Sequence, residues 1–354
     1  MSRMMSKRYD QLDAYVPGEQ PQDRKYIKLN TNESPFPPSP FAQRLARQAA
    51  GDLMLYSDPE CGALVRIAAD TFGVKEDNIL FTNGSDEVLD FAFAAYCDVD
   101  TPALFADVTY GFYPVFAARN GVPYREIPLH DDLTIHVEDY IGQKGTVFLA
   151  NPNAPTGIAL PAGDIERLLA ADKDRMVVVD EAYVDFGGES VLPLIERYDN
   201  LLVTQTFSKS RSLAGGRLGM GFAAPAIIAD LKKLKYSFNP YNVNSMTAAA
   251  GIGALIDKEY FQANVQAIMA VREETIGALT QLGFGCTPSR ANFIFAKHSR
   301  MTGGEVYAAL KAAGILVRYF DKDRLREYVR ITVGSAEQMH TLVDTLRIIT
   351  GGTV

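Results

Sequence analysis

Between residues 78 and 206 the chain repeats one unit, a short run of consecutive apolar residues followed by a stretch of helical periodicity. The predicted strands cover 78–82, 103–105, 123–128, 146–150, 176–179 and 201–206, with helical stretches at 88–96, up to 118, and at 164–171. A strand with one wet face alternates apolar and polar residues. These runs do not, so they predict strands covered on both faces, in a mainly parallel sheet sandwiched by helices. Two helices precede the repeat, at 41–50 and 60–72, the second with Leu64, Ile67, Ala68 and Phe72 on one face. After Tyr241 the pattern changes to helices at 245–257, 258–282, 305–313 and 337–350, with strands at 291–296, 315–320 and 328–333. That is a smaller α+β segment of ordinary domain size. Residues 1–38 carry Leu12, Tyr15, Val16 and Ile27 among prolines, which hold the backbone extended and predict a stiff arm. The expected organisation is an N-terminal arm with part of the small domain over 1–45, a large domain over 46–244 and a small domain over 245–354.

Each apolar run stops at an unusual polar cluster. In open sheets of this kind, ligands bind at the carboxyl ends of the strands. After 201–206 come Ser208 and Lys209, then a glycine-rich turn with Arg217. Lysine suits such a place because burial and nearby charge depress its pKa, and a neutral amine adds to carbonyls. Arg217 is placed to hold a phosphate; a solvated lysine beside a loop is the plainer alternative. Asp180 follows four apolar residues and needs a cationic partner if buried, whether a ligand or a structural ion pair. Tyr183 follows as a hydrogen-bond donor or a core tyrosine. Asn83-Gly84-Ser85-Asp86 opens a helix after a strand, a phosphate site or an ordinary N-cap. Tyr110 stands at another strand end, where it suits stacking on a flat ring. Asn151 and Asn153 lie in a proline-bracketed turn, as ring contacts or loop chemistry. Arg318 and Arg330 sit in the last two predicted strands and call for anions, from a substrate or from within the chain.

Net charge is −8 over 354 residues, which argues against a general nucleic-acid or anionic-membrane surface. Three scattered cysteines, with no paired spacing, argue against a disulfide framework or structural zinc and fit a reducing compartment. The four histidines show no metal-ligand spacing, so no metal is expected. No apolar run reaches membrane-spanning length, and residues 1–10 lack an apolar signal core, so a cytoplasmic location is expected.

Taken in order, Asn83-Gly84-Ser85-Asp86, Asn153-Ala154-Pro155-Thr156-Gly157, Asp180-Glu181-Ala182-Tyr183, Ser208-Lys209 with Arg217, and Arg330-Ile331-Thr332-Val333-Gly334 resemble the fold-type I pyridoxal-phosphate aminotransferases. The opening Tyr15-Val16-Pro17-Gly18, Leu29-Asn30-Thr31-Asn32-Glu33-Ser34-Pro35 and Tyr56 before an acidic-proline turn point to the histidinol-phosphate aminotransferase family. The resemblance covers the whole chain. It implies pyridoxal 5'-phosphate as cofactor, bonded to Lys209, with Asp180 on the pyridine nitrogen, Tyr183 on the ring oxygen and Tyr110 stacked on the ring. It implies Arg217, Ser208 and the N–H groups of Ser85 and Asp86 on the cofactor phosphate. Tyr56 would reach the phosphate of a second subunit, making a homodimer with shared active sites. Tyr15, Arg318 and Arg330 would bind small-molecule substrates, an amino donor and 2-oxoglutarate. Relatives often have asparagine where this chain has Ala154, so Asn153 is the candidate for the ring-oxygen contact. The implied reaction is transamination of L-histidinol phosphate. A broad aromatic aminotransferase, a phosphothreonine decarboxylase of the same fold and a non-catalytic regulator are the alternatives.

Overall fold

The structure is a computed structural model and describes residues 2–9 and 12–351. In chain order its regular elements begin with β1 (Ile27–Leu29), α1 (Pro40–Ala49), α2 (Gly62–Phe72), β2 (Ile79–Thr82), α3 (Ser85–Tyr96), β3 (Ala103–Ala106), α4 (Tyr113–Asn120) and β4 (Tyr124–Ile127). Then come β5 (Thr146–Ala150), α5 (Ala162–Ala171), β6 (Val177–Asp180), β7 (Leu201–Thr206), β8 (Gly219–Ala223), α6 (Pro225–Phe238) and α7 (Ser245–Ile256). The chain ends with α8 (Lys258–Gln281), β9 (Phe284–Cys286), β10 (Phe293–His298), α9 (Gly303–Ala312), β11 (Ile315–Tyr319), β12 (Tyr328–Thr332) and α10 (Ala336–Ile349).

The large sheet has seven strands in the order β2-β8-β7-β6-β5-β3-β4. Strands β3 to β7 pair in parallel, while β8 runs antiparallel between β2 and β7. Every residue of β2, β3, β5, β6, β7 and β8 is buried, as unbroken apolar runs require. One core cluster joins Val147, Val177 and Leu201 to Leu168 of α5 and Leu64 of α2. A second, on the other face, joins Phe148, Val178 and Leu202 to Val88 and Ala92 of α3. The small sheet has the order β1-β11-β12-β10-β9, and its core joins Ile294, Val317 and Ile331 to helices α8, α9 and α10.

Several features depart from the sequence pattern: strand β9 was not predicted, and β4, expected to be covered on both faces, exposes Tyr124, Arg125 and Glu126 at the sheet edge. Strand β8 and helix α6 were not predicted; Gly219-Met220-Gly221 gives β8 little strand propensity. Strand β1, in the arm, pairs in parallel with β11 and completes the small sheet from the far end of the chain. Helix α7, which the sequence grouped with the small domain, packs on α1 and α2. Its Ala250, Ala254 and Leu255 belong to the same core as Ala42 and Leu64. No helix among the described residues is long and apolar enough to cross a membrane.

Candidate active site

Strands β5, β6 and β7 end side by side, and Asp180 lies at the end of β6. It is 6% exposed, and its Oδ1 accepts the Ala182 N–H at 3.2 Å. Burial pushes its carboxyl up to about 7, the charge of Asp86 adding to the shift. It takes part in no ion pair among the described residues. The neighbouring Glu181 is pushed up to about 7 as well, chiefly by burial. Its carboxyl is nevertheless fully engaged, by Ser190 Oγ (2.7 Å), the Val191 N–H (2.6 Å) and Gln205 Nε2 (2.8 Å).

Lys209 follows β7. Its Nζ donates to the carbonyl of Thr31 at 3.3 Å and lies 5.7 Å from the centre of the Tyr183 ring. Lys209, Asp180, Tyr183 and Ser208 line one cavity, whose wall also includes Tyr110 and Ala154. Ser85, Asp86 and Arg217 line its other side. There α3 begins, and the N–H groups of Ser85 and Asp86 open its first turn, where a helix leaves such donors without intrahelical acceptors. The helix dipole makes that end favourable to an anion. Gly84 has φ +87°, and a Cβ on it would fall 2.5 Å from Arg217 Nη2. A Cβ on Gly219 would fall 2.1 Å from the Ser85 nitrogen. The turn therefore sits directly on β8, and the close approach leaves room only for a glycine at Gly219. Arg217 reaches Asp86 Oδ2 at 3.3 Å, and the Tyr110 hydroxyl donates to Asp86 Oδ1 at 2.8 Å.

A second cavity opens from the first and shares Tyr110, Ala154, Tyr183 and Lys209 with it. Tyr15 lines it, packed 4.6 Å from the ring of Phe112. Arg318 and Arg330 stand opposite each other on β11 and β12. Arg318 donates to the carbonyls of Val16 (3.2 Å) and Pro17 (3.4 Å) and lies 5.3 Å from the centre of the Phe320 ring. Arg330 donates to the carbonyl of Asn30 at 3.2 Å, its Nε is buried without a partner, and desolvation lowers its pKa. Neither guanidinium has a carboxylate partner among the described residues, so the cavity has a strong demand for anions.

Two expected residues stand elsewhere. Asn153 is 2% exposed and does not line the inner cavity. Its amide is spent on Thr109 Oγ1 (2.7 Å), the carbonyl of Val108 (2.9 Å) and Thr156 Oγ1 (3.3 Å), holding the turn together. The position facing the cavity is Ala154, so the expected ring contact from Asn153 has no geometric basis. Tyr56 is 84% exposed, stacks on Tyr241 at 4.6 Å, and lines neither cavity of its own chain. One polar residue of the second cavity was quoted in a motif without a role. Asn32 is 1% exposed and donates from Nδ2 to the Tyr183 hydroxyl at 2.9 Å. Its backbone is left-handed, φ +55°, which asparagine tolerates, but that conformation is not legible in the sequence.

The model of class I and II aminotransferases matches residues 24–346. A histidinol-phosphate aminotransferase of Acinetobacter baumannii is 46% identical over 98% of this chain and 97% of its own length. One of Brachyspira hyodysenteriae is 43% identical over 99% of both. The crystal structure of histidinol-phosphate aminotransferase from Sinorhizobium meliloti, solved in complex with pyridoxal-5'-phosphate, matches with TM-score 0.87 and 25% identity over 99% of both chains. The chain therefore belongs to the class I and II aminotransferases and, within them, to the histidinol-phosphate aminotransferase family.

Proposed function

We propose that the chain binds pyridoxal 5'-phosphate in the inner cavity and transfers the amino group of L-histidinol phosphate to 2-oxoglutarate. The products are imidazole-acetol phosphate and L-glutamate, and the step belongs to histidine biosynthesis. The observation that carries this reading is the inner cavity, with an amine, a buried carboxyl lacking a cation, and an anion cradle on one wall. These residues fit the cofactor. Asp180 suits a protonated pyridine nitrogen, and Arg217, Ser208 and the first turn of α3 suit its phosphate. Tyr183 suits its phenolic oxygen, Tyr110 its ring face, and Lys209 its aldehyde carbon. Bound there, the cofactor supplies a carbonyl for amines and a ring that accepts the electron pair left when a substrate C–H proton departs.

The chain's own residues do the rest. Lys209 Nζ would accept the proton from the amine-bearing carbon and deliver it, across the nitrogen, to the cofactor's former aldehyde carbon. Asp180 stays ionised once a cation stands against it and keeps that cation in place. Arg318 and Arg330 hold the substrate's phosphate or carboxylate, and Tyr15 covers the pocket mouth. Arg330→Gln should raise KM for both L-histidinol phosphate and 2-oxoglutarate by roughly 10–100-fold, the scale of a lost charge-assisted bond. Steady-state kinetics with each substrate varied checks this, and an unchanged KM for both removes Arg330 from the substrate site.

An absorbance titration of the cofactor-loaded protein tests the whole reading. L-Histidinol phosphate should bleach the yellow band, and 2-oxoglutarate should restore it. A yellow protein indifferent to L-histidinol phosphate would overturn the substrate. Bleaching by aromatic amino acids, or carbon dioxide release from O-phosphothreonine, would name its replacement.

The working unit of this reading is a homodimer. Leu53, Met54, Leu55 and Tyr56 form an exposed apolar ridge, with Phe238 and Tyr241 also exposed. A second copy would bury it and bring Tyr56 to the other subunit's phosphate. Sedimentation should give twice the chain mass, and Tyr56→Ala should weaken cofactor binding about tenfold. A monomer, or unchanged affinity, rejects the shared site. Free thiols at Cys61, Cys97 and Cys286 accord with a reducing, cytoplasmic setting.

A further inference from the structure

We propose that Asn32 is a positioning residue that sets the direction in which Tyr183 donates its hydroxyl proton, aiming it at the phenolic oxygen of the cofactor. The inference rests on the cofactor reading above and adds a residue to it.

The argument follows the protons. The backbone N–H of Asn32 donates to Thr332 Oγ1 at 2.9 Å, so that oxygen is already an acceptor. Thr332 is buried, and its own proton goes to Asn32 Oδ1 at 3.1 Å. Were the amide reversed, Nδ2 would face Thr332 and the buried hydroxyl proton would lose its acceptor, which costs free energy. The oxygen of the amide is therefore held toward Thr332 and the NH₂ toward Tyr183. An amide NH₂ only donates, so the Tyr183 oxygen accepts at 2.9 Å and its own proton must point elsewhere. Among the described residues that hydroxyl has no other partner, and Tyr183 lines the inner cavity.

The unit is rigid. The Asn32 carbonyl accepts from Asn292 Nδ2 at 3.0 Å, and Tyr183 meets Phe293 edge to face at 5.0 Å. With Ala154 on the cavity wall and Asn153 engaged in its turn, no side-chain amide lines the inner cavity among the described residues. The relay from Thr332 through Asn32 to Tyr183 takes the place of a direct amide contact.

Asn32→Asp tests this with little change of shape. One carboxylate oxygen keeps the Thr332 hydroxyl; the other faces Tyr183 as an acceptor and draws its proton away from the cavity. With pyridoxal phosphate bound, the pH midpoint of the visible band should rise by about one unit, toward that of Tyr183→Phe. Turnover should fall about tenfold with KM little changed. Asn32→Asp should add nothing to the midpoint in a Tyr183→Phe background. A plain effect of the new charge would persist in that background, and such additivity overturns the inference. Lys209, Arg330 and Asp180 also bear on the cavity around Tyr183 and are the same in every variant. Asn32→Gly, which accepts the left-handed backbone, must move the midpoint in the same direction; a wild-type midpoint in both variants refutes the proposal. A wild-type protein that develops no visible band with pyridoxal phosphate overturns the cofactor reading, and this inference with it.

Discussion

Lys209→Ala should leave a folded protein that still takes up pyridoxal phosphate but turns over at least about 10⁴-fold more slowly, because nucleophile and proton carrier are lost together. The side chain makes one long hydrogen bond, to the Thr31 carbonyl, so its removal costs the fold little. The phosphate cradle of α3, Gly84 and Arg217 remains, so binding persists without the covalent link. Equilibrium dialysis for the cofactor and a coupled assay for glutamate separate the two effects. Near-normal turnover would sink the assignment of Lys209, and with it the catalytic reading of the cavity.

Asp180→Asn should have opposite effects on activity and stability. Activity should fall by about 10²–10³-fold, as for loss of a principal electrostatic contact, because a neutral amide no longer holds a ring cation. The apoprotein should become more stable, and the sign follows from the raised carboxyl of Asp180. Below about pH 4 that carboxyl is protonated in both folded and unfolded chains and has no effect. As pH rises toward 7 the unfolded chain ionises and the folded chain does not, so wild-type stability falls. Above 7 the loss levels off, on the order of 4 kcal/mol for a rise of some three units. Asparagine removes this loss. Melting curves of the two apoproteins should coincide near pH 4 and separate by pH 8, the variant melting higher. Added cofactor should narrow the gap by stabilising the wild type more than the variant. Curves that stay parallel across this range would mean that Asp180 is not a strained carboxylate awaiting a cation.

Much of the site was visible in the chain because strand ends are local events. An apolar run that halts at Asp180, or at Ser208 and Lys209, marks where buried backbone meets a polar opening. The repeat of such runs also implies a parallel sheet that brings those ends together. The positions of Ser85, Asp86, Tyr110, Tyr183 and Arg217 along one cavity follow from the same logic.

Other features depended on partners distant in sequence. Asn153 and Ala154 are neighbours in one turn, and which of them faces the cavity was decided by the hydrogen bonds that Asn153 donates to the Val108 carbonyl and accepts from the Thr109 hydroxyl. Helix α7 has an apolar sequence that suits either domain; packing on α1 and α2 chose the large one. Strand β8 looks like a loop until the Gly84–Ser85 turn rests on it. Asn32 acquires a role only because Thr332, far along the chain, and Tyr183 meet it from two sides. Sequence by itself determined the parallel strands of the large sheet, their ends and the chemical types gathered there, since these depend on short-range apolar patterning. Tertiary structure alone decided which polar atoms face the cavity and which way their protons point, since a hydrogen bond depends on where its second partner lies.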